Sequence, residues 1–186
     1  MPADQPQNQR VTLAVRAAYP EEGGYDWTES LRPLVEIGAV EVAFHKTRLF
    51  LERVEIHDVI APFSKLRLRI TSIHMPHAKI TEHETFVEAL EKTVRIAQAL
   101  NCSVIVVHPS YGPLQRQPHE INAFFTQRID PLLEAINATL CWETFASKRR
   151  FLSGIEGIAA FCQGRQFHGA CYNTSHLYKT QKRDHC

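Results

Sequence analysis

The stretch CSVIVVHPS (102–110) has an unbroken β-branched middle that stops at a histidine and a proline. A run this short and this apolar reads as a strand buried on both faces, as in a parallel sheet covered by helices. The segment before it, 81–101, carries Phe86, Leu90, Val94 and Ala97 at helical spacing. The segment after it, 120–137, also reads as a helix, with Pro131 marking a kink or a break. The unit is therefore helix, strand, helix.

Outward from this unit the same rhythm repeats. Strands are expected at 11–19, 39–45, 68–76, 138–145 and 167–173. Between them lie a helix at 26–38 ended by Gly38, a helix-like stretch at 47–65 and a short helix at 153–164. Alternation of this kind implies a parallel sheet with right-handed crossovers. An open doubly wound sheet and a closed barrel both satisfy it. No glycine-rich phosphate loop, GxGxxG or GxxxxGK[ST], follows any strand, so nothing argues for a nucleotide-binding open sheet.

Bulk properties narrow the classes further. The chain has 186 residues, 44% of them hydrophobic and 22% charged, as expected of one globular domain at 11–186 behind a polar, disordered lead-in at 1–10. The net charge of +1 argues against strong electrostatic capture of nucleic acid. No apolar run reaches the roughly 18 residues that span a bilayer, and no secretory leader is visible. Five cysteines without a CxxC pair fit free thiols in a reducing cytoplasm.

Polar residues mark the strand ends. Strand three ends in His74, with Pro76 and His77 behind it; strand four ends in His108-Pro109, strand five in Glu143, and strand six in Asn173 with His176. In a parallel barrel such tips surround one mouth, where the strand-to-helix loops build the active site. Two imidazoles and a carboxylate are common ligands of a catalytic divalent metal that keeps an open position. Glu143 is the most telling, since LCWETF (140–145) puts a carboxylate directly after an apolar run. His45 ends strand two without such a context, and His57, His83, His119, His168 and His185 follow no pattern.

The motifs HMP (74–76), HPS (108–110), ET (143–144) and NTSH (173–176) resemble, in order, the HxP, HPG, EN and DxxH signatures of the xylose isomerase-like barrel superfamily. That superfamily holds sugar and sugar-phosphate isomerases and epimerases together with the AP endonuclease family 2. The resemblance, over about 11–178, implies a TIM-barrel-type (β/α) repeat with one to three divalent ions (Zn, Mn or Mg) at its mouth. It implies His74, His108, Glu143, Asn173 and His176 as metal-ligand positions, with Glu143 also the catalytic acid/base and able to bridge two ions. It further implies a small sugar or sugar phosphate as substrate.

Two departures stand out. Asn173 occupies the position of an aspartate, which removes a ligand charge. The sequence also stops after about six strand–helix units, where a closed barrel has eight. The chain therefore reads either as a fragment of a longer protein or as a shortened barrel whose open edges, on strands one and six, a second copy would cover. A non-catalytic relative acting as a binding module, and a DNA-repair enzyme of the endonuclease type, are the alternatives to a sugar isomerase or epimerase.

Overall fold

The computed structural model describes residues 14–80, 82–108, 118–144 and 154–172. Six strands, β1 (Val15–Ala18), β2 (Ala39–Ala43), β3 (Arg69–His74), β4 (Val104–Val107), β5 (Thr139–Glu143) and β6 (His168–Cys171), form one sheet in sequential order. Every neighbouring pair is parallel. The connections carry α1 (Trp27–Leu31), α2 (Thr47–Arg53), α3 (Ile56–Leu66), α4 (His83–Ala99), α5 (Pro118–Phe124), α6 (Asp130–Glu134) and α7 (Ile155–Cys162). The expected alternation is present throughout. The expected lead-in at 1–10 lies outside the described residues.

The sheet is strongly curled. Flat neighbouring strands lie about 4.8 Å apart, so β1 and β5 would be separated by about 19 Å. Yet Arg16 Nη2 on β1 lies 3.6 Å from Glu143 Oε1 on β5. Only a sheet rolled toward a barrel brings those side chains together. Strand alternation then sorts residues onto two faces. Val40, Val42, Ile73, Met75, Ile105, Val107, Leu140 and Trp142 join the core packed under the helices. Arg16, Glu41, Ser72, His74, Cys141 and Glu143 take the alternate positions and face the concave side.

Each return from helix to strand passes through a left-handed residue. Gly38, Arg67, Asn101, Asn137 and Gly164 have φ between 50° and 76°, and each stands one to four residues before β2, β3, β4, β5 or β6. This conformation satisfies the last helical carbonyls while turning the chain back toward the sheet. Glycine suits it best and asparagine next; Arg67 pays a steric penalty for the same turn.

Three connections differ in detail from the sequence reading. The helix expected at 26–38 is α-helical only to Leu31 and ends in a tighter turn at Arg32–Leu34, where Pro33 has no N–H to offer. The stretch 47–65 is two helices, α2 and α3, because Val54 adopts extended backbone between them. In 118–134 the break expected at Pro131 takes the form of a wide turn at Phe125–Ile129 directly before α6. Pro131 has no N–H to offer and crowds the carbonyl four residues back, which a widened turn accommodates.

On the helix side, β6 contributes His168, which is buried. Trp142 Nε1 donates to its Nδ1 at 3.2 Å, so Nε2 carries the proton and faces Asp130 Oδ1 at 2.8 Å. The rings of Phe125 and Phe161 stand edge-on, each with its centroid 5.4 Å from the imidazole. Burial lowers the His168 pKa below its ordinary 6.5, the Asp130 hydrogen bond opposing it less strongly. The stability this provides is fully present above pH 6.5 and is lost as pH falls through the lower folded value, because the unfolded chain binds the proton first. A His168→Gln variant, whose amide accepts from Trp142 and donates to Asp130 without titrating, is expected to lose less stability than the parent between about pH 7.5 and about pH 5.5. Urea midpoints at the two pH values check this, and equal losses refute it.

Candidate metal centre

His74 is the last residue of β3, His108 follows β4 directly, and Glu143 is the last residue of β5. The register explains their meeting. Val107 pairs with Trp142, which sets His108 level with Glu143, and His74 pairs with Val106, two residues below His108 and so on the same face. Alternation points all three toward the concave side. His74 and Glu143 are almost sealed, at 2% and 1% exposure, while the His108 side chain keeps 12% at the mouth.

One ligand atom from each of the three lies within 4.8 Å of the other two. His74 Nε2 is 3.3 Å from Glu143 Oε2, and His108 Nε2 contacts the same oxygen. The tautomer of His74 follows from its other nitrogen. Nδ1 lies 3.2 Å from the Met75 carbonyl, which can only accept, so Nδ1 carries the proton and Nε2 presents a lone pair. An imidazole lone pair and a carboxylate oxygen repel at that distance. A positive centre shared among the three atoms, a proton or a metal cation, removes the repulsion.

The donor set fits a divalent ion. Tetrahedral bonds of about 2.1 Å place neighbouring ligand atoms about 3.4 Å apart, near the His74–Glu143 spacing. Two imidazoles and one carboxylate leave a fourth position for a further ligand. The imidazole of His74 is oriented by a backbone carbonyl, the usual second partner of a metal-binding histidine.

Around the trio the mouth is rich in imidazole. The His77 ring stacks on His108 at 4.0 Å and 22°, and His45 follows at 6.4 Å. The Glu21 carboxylate accepts from the backbone N–H groups of His45 and Lys46, both at 2.9 Å, which fixes the loop behind β2. Beyond His77 a groove of about 540 Å³ opens between α2 and α4. Its cations are already paired, Arg48 with Glu52 and Lys79 with Glu82, each at 2.8 Å. The chemistry of the mouth lies with the trio rather than with this groove.

Deeper on the concave side are residues that the motif reading passed over. Arg16 Nε meets Glu41 Oε1, and Ser72 Oγ donates to Glu41 Oε2 at 2.9 Å. The only signal for them in the sequence is parity. Glu41 sits among valines in AVEVA (39–43), where a charge must face away from the helices. The thiols of Cys141 and Cys171 are pushed up to about 11, both by burial first, and Cys171 next by the Glu143 charge. Neither is a thiolate at neutral pH. Asn173 and His176, expected at the same mouth, lie outside the described residues.

A family model described as "Xylose isomerase-like TIM barrel" matches residues 21–186. The chain belongs to that family. Its fold is shared with solved structures at low identity. A xylose isomerase domain protein from Planctomyces limnophilus superposes with a TM-score of 0.64 at 14% identity, over 94% of this chain and 68% of that one. A D-allulose 3-epimerase from Methylomonas sp., solved with D-allulose, gives 0.61 at 14% identity, over 90% and 64%. A xylose isomerase-like barrel protein from Mycobacterium smegmatis, solved with magnesium, gives 0.60 at 14% identity, over 88% and 64%. The chain thus spans roughly two thirds of the length of these neighbours. No curated protein matches it significantly.

If the trio holds an ion, Zn²⁺ or Mn²⁺ added to chelator-treated protein raises the melting temperature. The shift is expected to vanish in His74→Ala, His108→Ala and Glu143→Gln, each losing more than the roughly 100-fold in affinity that an outer partner costs. Calorimetric titration and thermal melts check this; undiminished binding by all three variants refutes it.

Proposed function

We propose that the chain is a divalent-metal-dependent protein of the sugar or sugar-phosphate isomerase/epimerase type, with its site at the C-terminal mouth of the barrel. The observation that carries this reading is the convergence of His74, His108 and Glu143 from three strand ends within 4.8 Å. Asn173 and His176 are proposed to complete the ligand set, the amide oxygen contributing a donor without charge. When bound, the ion, Zn²⁺, Mn²⁺ or Mg²⁺, would polarise a carbonyl or hydroxyl of the sugar.

The rest falls to the protein's own groups. Glu143 serves as the proton-moving carboxylate, next to the carbon α to a carbonyl. The imidazoles of His77 and His45, at the rim, suit the hydroxyl-rich edge of a small polyol by hydrogen bonding. Membership in the family and the sugar-epimerase neighbours support a sugar as the substrate class.

A cytoplasmic setting is supported by the free thiols of Cys102, Cys141, Cys162 and Cys171. Among the described residues no helix is long and apolar enough to cross a membrane. Among the described residues β1 and β6 are the outer strands, and a second copy lying along them is part of the proposal. The net charge of +1 lends no support to the DNA-repair alternative, whose substrate is a polyanion.

A second reading is a binding module that keeps the ion site without turnover. It draws support from Asn173, which stands at the family's aspartate position. The two readings separate in one experiment. The full chain, loaded with Mn²⁺, is incubated with ketohexoses and ketohexose phosphates in deuterated water and followed by NMR. Deuterium entering the carbon beside the carbonyl, abolished by Glu143→Gln, is the expected result. Ion binding without exchange on any such sugar refutes the enzyme reading in favour of the binding module.

A further inference from the structure

The two oxygens of Glu143 have different surroundings. Oε2 faces the imidazoles of His74 and His108, and Oε1 faces Arg16 Nη2 at 3.6 Å. The same guanidinium meets Glu41 Oε1 through Nε, and Glu41 is held from its other oxygen by Ser72. Arg16 thus lies between two carboxylates, one from β2 and one from β5, on the opposite side of Glu143 from the imidazoles.

A carboxylate that bridges two metal ions offers one oxygen to each, the ions standing about 3.5–4 Å apart. Here one oxygen is directed at the imidazole pocket and the other already has a cation. We infer that Arg16 is a built-in cation in the place where a second divalent ion would bridge Glu41 and Glu143, so that the cavity lined by His74, His108, Glu143 and Glu41 holds a single ion and Glu143 binds it through Oε2 alone. The inference rests on the metal centre proposed above and goes beyond it, by fixing the number of ions in this cavity and giving Arg16 a positioning role. The planar guanidinium suits that role, since its separate N–H groups can reach two carboxylates at once.

The physical consequence is a trade of charges. With Arg16 present, Glu41 and Glu143 together carry one uncompensated negative charge, enough to favour one cation at the imidazoles. Without it the two carboxylates repel across the cavity, and a divalent ion becomes the best available replacement.

Calorimetric titration of the chelator-treated full chain with Mn²⁺ tests this. The parent is expected to bind one ion per chain in this cavity, and Arg16→Met two, the second lost again in the double variant Arg16→Met/Glu41→Gln. If Arg16→Met does not fold, Glu41→Gln decides. It releases Arg16 to pair fully with Glu143 and is expected to weaken the single ion several-fold. Two ions in the parent, both lost on Glu143→Gln, overturn the Arg16 assignment alone. So does an Arg16→Met variant that still binds one ion with unchanged affinity, and so does unaltered affinity in Glu41→Gln. No ion bound by the parent removes the metal centre and this inference with it.

Discussion

A carboxylate with 1% exposure at the end of an apolar strand is the constraint around which this structure is arranged. Burying an ionised group without partners costs more than a domain of this size can spare. Glu143 is therefore tolerated because β1 brings the Arg16 cation to one of its oxygens, and β3 and β4 bring His74 and His108 to share a proton or a metal cation with the other. Those strands can do so only if the sheet is rolled. The roll of the sheet and the electrostatics of the mouth are one fact seen from two sides.

The side chains explain why the sheet rolls toward that face. Bulky residues, among them Phe44, Ile73, Met75, Ile105 and Trp142, fill the helix side. The concave side carries Ala39, Ala43, Ser72, Cys141 and Gly169 between its polar groups. It is already crowded at that size: a methyl on Gly169 would stand 3.2 Å from Thr139 Cγ2 and 3.3 Å from Cys141 Sγ. Small residues inside and large ones outside are the packing condition for a curved layer. The left-handed residue before each of β2 to β6 repeats one return geometry, which keeps the helices on the outer side.

Much of this is legible in the sequence, for identifiable reasons. The strand–helix alternation is visible because buried parallel strands are β-branched runs and the helices are amphipathic, as VIVV (104–107) and 83–99 show. The trio is visible because a histidine or a carboxylate that ends an apolar run has no apolar explanation. Glu41 shows only as a charge among valines, and Arg16 and Ser72 not at all, because what the three do lies in pairings between β1, β2, β3 and β5 that no local pattern encodes. The division of 47–65 into two helices was equally hidden, since Val54 and Glu55 carry no glycine or proline to announce a break. Pro131 announced a break but not its form.

Residue type alone does not mark the site; the face of the strand does. His168 and His74 are both buried strand histidines with a carboxylate within 3.3 Å. His168 points among the helices, where the Trp142 indole N–H and the Asp130 carboxylate take both of its nitrogens and aromatic rings close over it. Nothing remains for it to bind, and its effect is to tie β5, β6 and α6 together. His74 lies on the other parity, its Nδ1 committed to a carbonyl and its Nε2 directed at an oxygen already shared with a second imidazole. On β5 the two environments are one residue apart, Trp142 serving the outer and Glu143 the inner. A shift of one residue in the register of that strand would exchange them. The burial of Leu140 and Trp142 in the core, which holds that register, therefore keeps the chemistry in the mouth as well as the fold in place.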